Sequence, residues 1–333
     1  MNIPILTRMV QERYVPHMTR KEFLALPLAA AAAAAHASAQ SYTPKRINKA
    51  IELLDAGQPI YYVGGRGGYE EGKKLAQTHA DYINYEMEHG ALDFTALREF
   101  MQGLVEAGPT KSGHRSPAVI ATLPVLGIDE MHMRANFWVA QQALCCGIHG
   151  ILLCHARDPE AVKWLVRAAR FPHAQPVVPE LGEGLLGNGS QGFASRIWGI
   201  SAAEYTQKAD PWPLNPNGEF MLGLKIEDKH ALANAEKVAA VPGIAFAEWG
   251  PGDMGISLGL PDGHGANDTL HPDMLEARSR VLAACKANNL AFLNTVRESD
   301  VEEMIKEGVM IGAGADPETA DKGRRFTKRQ MPW

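Results

Sequence analysis

Cysteine is scarce: four residues in 333, at positions 145, 146, 154 and 285, too few for a disulfide framework. Cys154 and Cys285 stand in apolar surroundings and read as buried thiols, and Cys145 and Cys146 end a helix-like segment. Long apolar runs are also missing. The longest is an alanine-rich stretch near the N-terminus, too short to span a bilayer as a helix. No Lys/Arg block occurs, and 33 basic against 38 acidic residues leave a net charge of −5, so the chain lacks a nucleic-acid footprint. No internal repeat is visible, which excludes solenoids and propellers. What remains, 46% hydrophobic and 21% charged, is the composition of an ordinary globular protein.

The N-terminus departs from that pattern. From Met18 it reads MTRKEFLALPLAAAAAAAHASAQ: two basic residues, an apolar run, then Ala37-Ser38-Ala39 before Gln40. This is the layout of a secretory signal with a small-residue cleavage site. Thr19–Leu24 is similar to a twin-arginine signal with Lys21 in place of the second arginine. The expectation is an N-terminal extension with an export signal over 1–39 and a single domain over 40–333, periplasmic or secreted. The alternative is a cytoplasmic protein with a chance alanine-rich helix.

From Gln58 onward, short apolar runs alternate with stretches of helical period. The runs fall at 58–64, 81–88, 117–125, 149–156, 221–227, 244–250, 290–295 and 309–316. They are continuous Val/Ile/Leu/Ala/Phe segments, as expected of parallel strands buried on both faces. A doubly wound open sheet fits the alternation nearly as well. The count of eight favours a (β/α)8 TIM barrel, whose usual length is about 250 residues. One connection, from Arg170 to Met221, is long and rich in Gly, Pro, Asn and Trp, which points to a functional loop.

A barrel places its chemistry at the carboxyl ends of its strands. There the sequence offers Glu86-Met87-Glu88-His89 on strand 2, Glu227 on strand 5 and, 26 positions later, Asp253 after strand 6. Two carboxylates on neighbouring strand ends without Cys or His beside them form a hard oxygen site suited to Mg²⁺ or Mn²⁺, with Co²⁺ also compatible. An ion pair for Glu227 and a helix N-cap for Asp253 are the simpler structural readings. Gly250-Pro251-Gly252 makes a tight loop whose amides face a ligand. Glu86 and His89 offer a carboxylate and an imidazole in the pattern of a general base. His155, ending strand 4, is within reach of the same pocket or is structural. His264 and His271 read as surface residues, and GGRGGYEEGKK (64–74) as a barrel loop rather than a phosphate loop.

Taken in order, YEMEHG, VRAARFPHAQ (166–175), GNGSQGFASR (187–196), LKIED, GPGDMGISLG, HPDMLEARSRVLAACK and GAGAD resemble the HpcH/HpaI aldolases, the metal-dependent class II pyruvate aldolases, over residues 50–328. The resemblance implies a TIM barrel of the phosphoenolpyruvate/pyruvate type and a divalent metal on Glu227 and Asp253. It also implies an aldolase acting on a 4-hydroxy-2-keto acid through a pyruvate-type enolate, from keto-acid and aldehyde substrates. The amides of Gly252 and Asp253 are expected to hold the substrate carboxylate, and His89 with Glu86 to relay the proton. It implies, finally, a homo-oligomer built from dimers that often form hexamers. Three positions differ from the family pattern: Thr122-Leu123 where strand 3 ends in Arg, Lys225 where Gln precedes the metal Glu, and Glu86 for Asp. Lys225 shares a strand face with Glu227 and is the first candidate to replace the missing arginine, followed by Arg66, Arg134 and Arg196. A hydratase, epimerase or acyl-CoA lyase on the same metal barrel, and an exported two-lobed solute-binding protein, are the competing readings.

Overall fold

The computed structural model describes residues 42–124, 126–260 and 270–333; the expected export signal and His264 lie outside these residues. Among the described residues there are nine parallel strands: β1 (Ile60–Gly65), β2 (Tyr82–Glu86), β3 (Ala118–Leu123), β4 (Gly150–Leu153), β5 (Pro211–Trp212), β6 (Phe220–Lys225), β7 (Phe246–Glu248), β8 (Ala291–Thr295) and β9 (Val309–Ala313). Eight of them run β1-β2-β3-β4-β6-β7-β8-β9 and return to β1 through Ile60↔Ile311, so the sheet closes into a barrel. β5 is a two-residue appendage on β6, paired at Pro211↔Phe220. All eight strands expected from sequence are found, and closure decides for the TIM barrel against the open sheet and against a two-lobed binding protein.

The strands are apolar throughout because both faces are covered. β3 and β4 are buried at every residue. Tyr82, Ile120, Leu152, Met221, Phe246, Leu293 and Ile311 fill the barrel interior as one cluster. Gly223 leaves room for this packing: a Cβ there would meet the Phe246 ring at 2.1 Å. A larger apolar layer lies between the sheet and the helices, which include α1 (Lys49–Asp55), α2 (Tyr69–Leu75), α3 (Phe94–Ala107), α4 (Glu130–Cys145) and α5 (Pro159–Ala168). Asp93 and Asp158 cap α3 and α5 through their side chains, and Pro159 opens α5 where its missing N–H costs nothing. Among the described residues no helix is long and apolar enough to cross a membrane.

The long connection is not an open loop. It contains α6 (Gln191–Trp198), α7 (Ala202–Lys208) and β5. Ser201 and Glu204 form a reciprocal capping box at the start of α7. Trp198 stacks on His149, meets Phe220 edge-on and donates Nε1–H to the Gly147 carbonyl. Its aromatic content therefore serves packing of the connection against the barrel wall.

Beyond β6 come α8 (Lys229–Ala233), α9 (Ala235–Ala239), α10 (Pro251–Ser257), α11 (Pro272–Ala287), α12 (Val301–Glu307) and α13 (Pro317–Phe326). At the N-terminal face, buried Asp81 meets Lys49 at 3.3 Å, Arg324 at 3.3 Å and Arg329 at 2.8 Å. These cations hold the Asp81 carboxyl well below its ordinary pKa despite burial. The cluster ties the end of the chain to the base of β2, on the barrel face that governs stability rather than chemistry.

Candidate active site

At the opposite face, the carboxyl ends of β2, β4, β6 and β7 converge. Lys225 is the last residue of β6, and its Nζ lies 2.9 Å from Glu88 Oε2 and 2.8 Å from Glu227 Oε2. Glu227 is fully buried; its Oε1 accepts the backbone N–H of His155 at 3.0 Å. Glu88 Oε1 is buried without a hydrogen bond, and buried Glu227 Oε2 has the Lys225 ammonium as its one neighbour of opposite charge. With Cys154 Sγ beside them, Glu88 and Glu227 offer ligand atoms that all lie within 4.8 Å of one another.

His155 follows β4 with φ +49°, a left-handed conformation that is strained for a residue with a side chain. That turn aims Nδ1 at Asp228 Oδ2, 2.7 Å away, and leaves Nε2 3.9 Å from Glu88 Oε1 and 3.8 Å from Glu227 Oε1. Asp228 is held in turn by Arg157 Nε at 2.9 Å and by the amides of His230 and Ala231, which it caps. The imidazole is thus oriented from behind and faces the acids in front. Its hydrogen bond to Asp228 raises its pKa above the ordinary histidine value, against the opposing effect of burial.

The charges do not balance. Burial pushes Glu227 upward, only partly offset by Lys225, with Glu88 adding to the rise. Burial also pushes Glu248, the last residue of β7 and the register partner of Lys225, up to about 7, with Lys225 opposing and Glu227, Glu88 and Glu86 reinforcing. Glu88 stays below its usual value because hydrogen bonds from Cys154 and Lys225 outweigh its own burial. Burial works against the Lys225 ammonium too, but Cys154, Glu227 and Glu248 outweigh it and keep it charged. One lysine among four carboxyls leaves the mouth short of positive charge. The buried carboxylate oxygens fit a divalent cation, but the expectation of no Cys or His beside them does not hold: Cys154 Sγ and the His155 ring adjoin Glu227.

The remaining residues expected from sequence are placed as follows. Asp253 is the third residue of α10, whose N-cap is Gly250. Gly250 has φ +51°, and a Cβ there would meet Glu227 Cβ at 2.3 Å and Oε2 at 2.9 Å, so the glycine turn rests on Glu227. Gly252 faces open space. Glu86 and His89 share one turn, but Glu86 Oε1 accepts the backbone amides of Glu88 (2.7 Å) and His89 (3.0 Å) rather than the imidazole. The His89 side chain is 69% exposed, with Nε2 3.6 Å from Glu88 Oε2. Glu86 therefore shapes the turn that carries Glu88. Arg196 does not reach the mouth. It lies on α6, its carbonyl facing Arg115 before β3, and lines an outer groove with Gln102 and Glu106 of α3. The chain runs down the outside of the barrel at that point to return to the start of β6. Arg134 is likewise outside, over the Trp164 ring. Arg66 alone of the three arginines lines a cavity at the strand ends, with Gly64, Asn84 and Glu86. Thr122, standing where the arginine is missing, donates its hydroxyl to Asn84 Oδ1 at 2.7 Å and is neutral.

Sequence reasoning gave no role to Glu88, Asp228 or Glu248; it read Cys154 as a buried thiol, which it is, but not as a neighbour of the acids. Glu248 was available by the rule that selected Glu227, since a buried strand ending in an acid is informative wherever it occurs. His271 is half exposed and caps α11, as a surface residue; the cysteines are free, and all but Cys145 are buried.

The profile of the HpcH/HpaI aldolase/citrate lyase family matches residues 122–319. A hydroxypyruvate/pyruvate aldolase of Paraburkholderia phytofirmans is 23% identical over 217 residues, covering 65% of this chain and 70% of that protein. A crystal structure of an HpcH/HpaI aldolase/citrate lyase family protein from Burkholderia cenocepacia matches with a TM-score of 0.62 and 22% identity, over 84% of this chain and 97% of that one. The citrate lyase beta subunit from M. tuberculosis, complexed with oxaloacetate and magnesium, shares the fold at a TM-score of 0.50 and 11% identity, over 81% and 96%. With more than half its length inside the family profile and the barrel and strand-end site in place, the chain belongs to the HpcH/HpaI aldolase/citrate lyase family of carbon–carbon lyases.

Proposed function

We propose that the protein is a divalent-metal-dependent aldolase that cleaves or forms a 4-hydroxy-2-keto acid. The observation that carries this reading is the crowding of the buried carboxyls of Glu88, Glu227 and Glu248 around a single lysine at the strand ends. Glu227 and Asp253 would hold the cation, Mg²⁺ or Mn²⁺ by donor hardness, while Glu88 remains the partner of Lys225. When bound, such a cation supplies Lewis-acid stabilisation of the enolate oxygen. In cleavage, the C4 hydroxyl gives its proton to a base, the C3–C4 electron pair passes into the pyruvate enolate, and the aldehyde departs; the proton then returns to C3.

His155 Nε2 is the group placed to carry that proton, because Asp228 fixes its orientation and the ring faces the acids. His89, on the rim beside Glu88 and attached to the Glu86 turn, is the second candidate. The amides of Gly252 and Asp253 at the start of α10 and the Lys225 ammonium receive the substrate carboxylate. The names of the Paraburkholderia relative and of the oxaloacetate- and magnesium-bound M. tuberculosis protein support a pyruvate-type substrate and a metal.

The test is release of pyruvate from a panel of 4-hydroxy-2-keto acids, with and without EDTA and with metal restored. Release that is lost on chelation and regained with Mg²⁺ or Mn²⁺ is expected; turnover indifferent to EDTA overturns the metal assignment. Hydratase or epimerase activity would consume the same substrates without yielding pyruvate.

Lys225→Gln is expected to raise KM for the keto acid by about ten-fold, the loss of ~1.4 kcal/mol of binding. Lys225→Arg should rescue only in part, since a planar fork does not reproduce a point charge between two carboxylates. Unchanged kinetics in Lys225→Gln would move the anion elsewhere, with Arg66 next in line.

A further inference from the structure

The acid cluster reaches from the turn after β2, which carries Glu88, to the ends of β4, β6 and β7. Next to that turn, at the ends of β1 and β2, lies a cavity of about 290 Å³ lined by Gly64, Gly65, Arg66, Glu71, Asn84 and Glu86. Gly64 and Asn84 are register partners, and Glu86 is the register partner of Thr122, so the cavity opens on the same mouth as the catalytic residues. Its size is at the low end of small-molecule sites, which run from about 300 Å³ upward. Its lining is unusual for a ligand pocket in containing no aliphatic or aromatic side chain.

The polar groups in it are only partly used by the protein. Asn84 accepts the Thr122 hydroxyl at Oδ1, which leaves its amide donors. Glu86 commits Oε1 to two backbone amides, which leaves Oε2 as an acceptor. The Arg66 backbone reaches Glu71 at 3.4 Å, while its side chain is exposed at the cavity. A donor amide, an acceptor carboxylate and a guanidinium around a small space match the alternating donors and acceptors of neighbouring hydroxyl groups. An alkyl or aryl group there would leave the Asn84 amide and the Glu86 carboxylate without partners, a loss of about 1–3 kcal/mol for each group desolvated, while Arg66 at the exposed rim keeps its water.

We infer that this cavity is the subsite for the aldehyde half of the substrate, and that it takes a short, hydroxylated aldehyde rather than a hydrocarbon one. The inference rests on the aldolase reading above and adds the class of acceptor to it. Gly64 sets the volume: no atom lies within 4 Å of a Cβ built on it, so a side chain there projects into empty space without disturbing the wall. Arg66 adds the donor fork at the rim.

The experiment compares aldol addition of pyruvate to glyceraldehyde and to propanal, alongside exchange of pyruvate methyl protons with deuterated water, which needs no aldehyde. The wild type should prefer glyceraldehyde by about ten-fold or more in kcat/KM. Gly64→Leu should raise KM for glyceraldehyde about ten-fold while proton exchange stays at the wild-type rate, which also reports an intact fold. Arg66→Met, at an exposed position, should erode the same preference with propanal unaffected. Equal use of the two aldehydes by the wild type, equal losses for both in Arg66→Met, or an unchanged KM for glyceraldehyde in Gly64→Leu overturns the inference and leaves the aldolase standing. Absence of both proton exchange and addition in the metal-loaded wild type would instead overturn the aldolase reading.

Discussion

Glu227→Gln is expected to abolish divalent-metal binding and to lower kcat/KM about a thousand-fold, roughly 4 kcal/mol of transition-state stabilisation, while the protein melts no earlier than the wild type. The two halves of that expectation have one cause. Glu227 is fully buried, and burial raises its pKa. A carboxyl whose folded pKa lies above its unfolded value subtracts stability once the pH exceeds the unfolded value. In the metal-free protein at neutral pH the charge is therefore a cost, and the neutral isostere removes it without creating a cavity. Lys225 retains Glu88 at 2.9 Å, so the ammonium is not stranded. Titration calorimetry with Mn²⁺ and thermal melts with EDTA separate the two effects. Wild-type metal affinity in the variant would remove Glu227 from the site, and a collapsed melting temperature would make it a structural ion pair.

His155→Asn should lower kcat by about 10²- to 10⁴-fold with metal affinity retained, the usual contribution of a positioned acid–base group. Asparagine is the substitution of choice because it tolerates the left-handed backbone at φ +49°. The pH profile gives the sharper test. A base works unprotonated, and the Asp228 hydrogen bond raises the His155 pKa, so kcat/KM should fall as pH drops through a value above the ordinary histidine range. Asp228→Asn keeps the helix cap but removes the leading cause of the shift, so the acid limb should move to lower pH as the maximal rate declines. The same shift bears on stability: a raised histidine pKa stabilises below the ordinary value and loses that contribution as pH rises through the raised one. His89→Asn should leave the limb in place. If His89→Asn moves it and His155→Asn does not, the relay belongs to the rim.

The architecture was legible because every barrel strand is buried on both faces, so its apolar run is continuous and hard to mistake. Glu227 and Asp253 stood out as acids ending or following such runs. Glu88 did not, because it falls in the turn after β2, where polarity is ordinary; its importance arises from Lys225, 137 residues away. His155 was visible but undecided, since its meaning depends on Asp228 lying 2.7 Å behind it, a contact between two strand ends. The long connection misled for a different reason. Its glycines and prolines concealed two short helices whose stability comes from Trp198 and Tyr205 packing on each other and on Phe220, not from local propensity.

The ion cluster at the barrel's base also fixes an order of assembly. Arg329 reaches Asp81 across 248 residues and also donates to the Pro59 carbonyl, while Arg324 donates to the His79 carbonyl across 245. Contacts of such separation demand closure of nearly the whole chain before they return any energy, so they belong among the last to form. Until they do, Asp81 has only Lys49 beside it and the first strands lack their closing partner β9. A chain in which Arg324 and Arg329 have not yet reached Asp81 therefore presents a row of strands with an open edge, and that edge is a pairing hazard until they do.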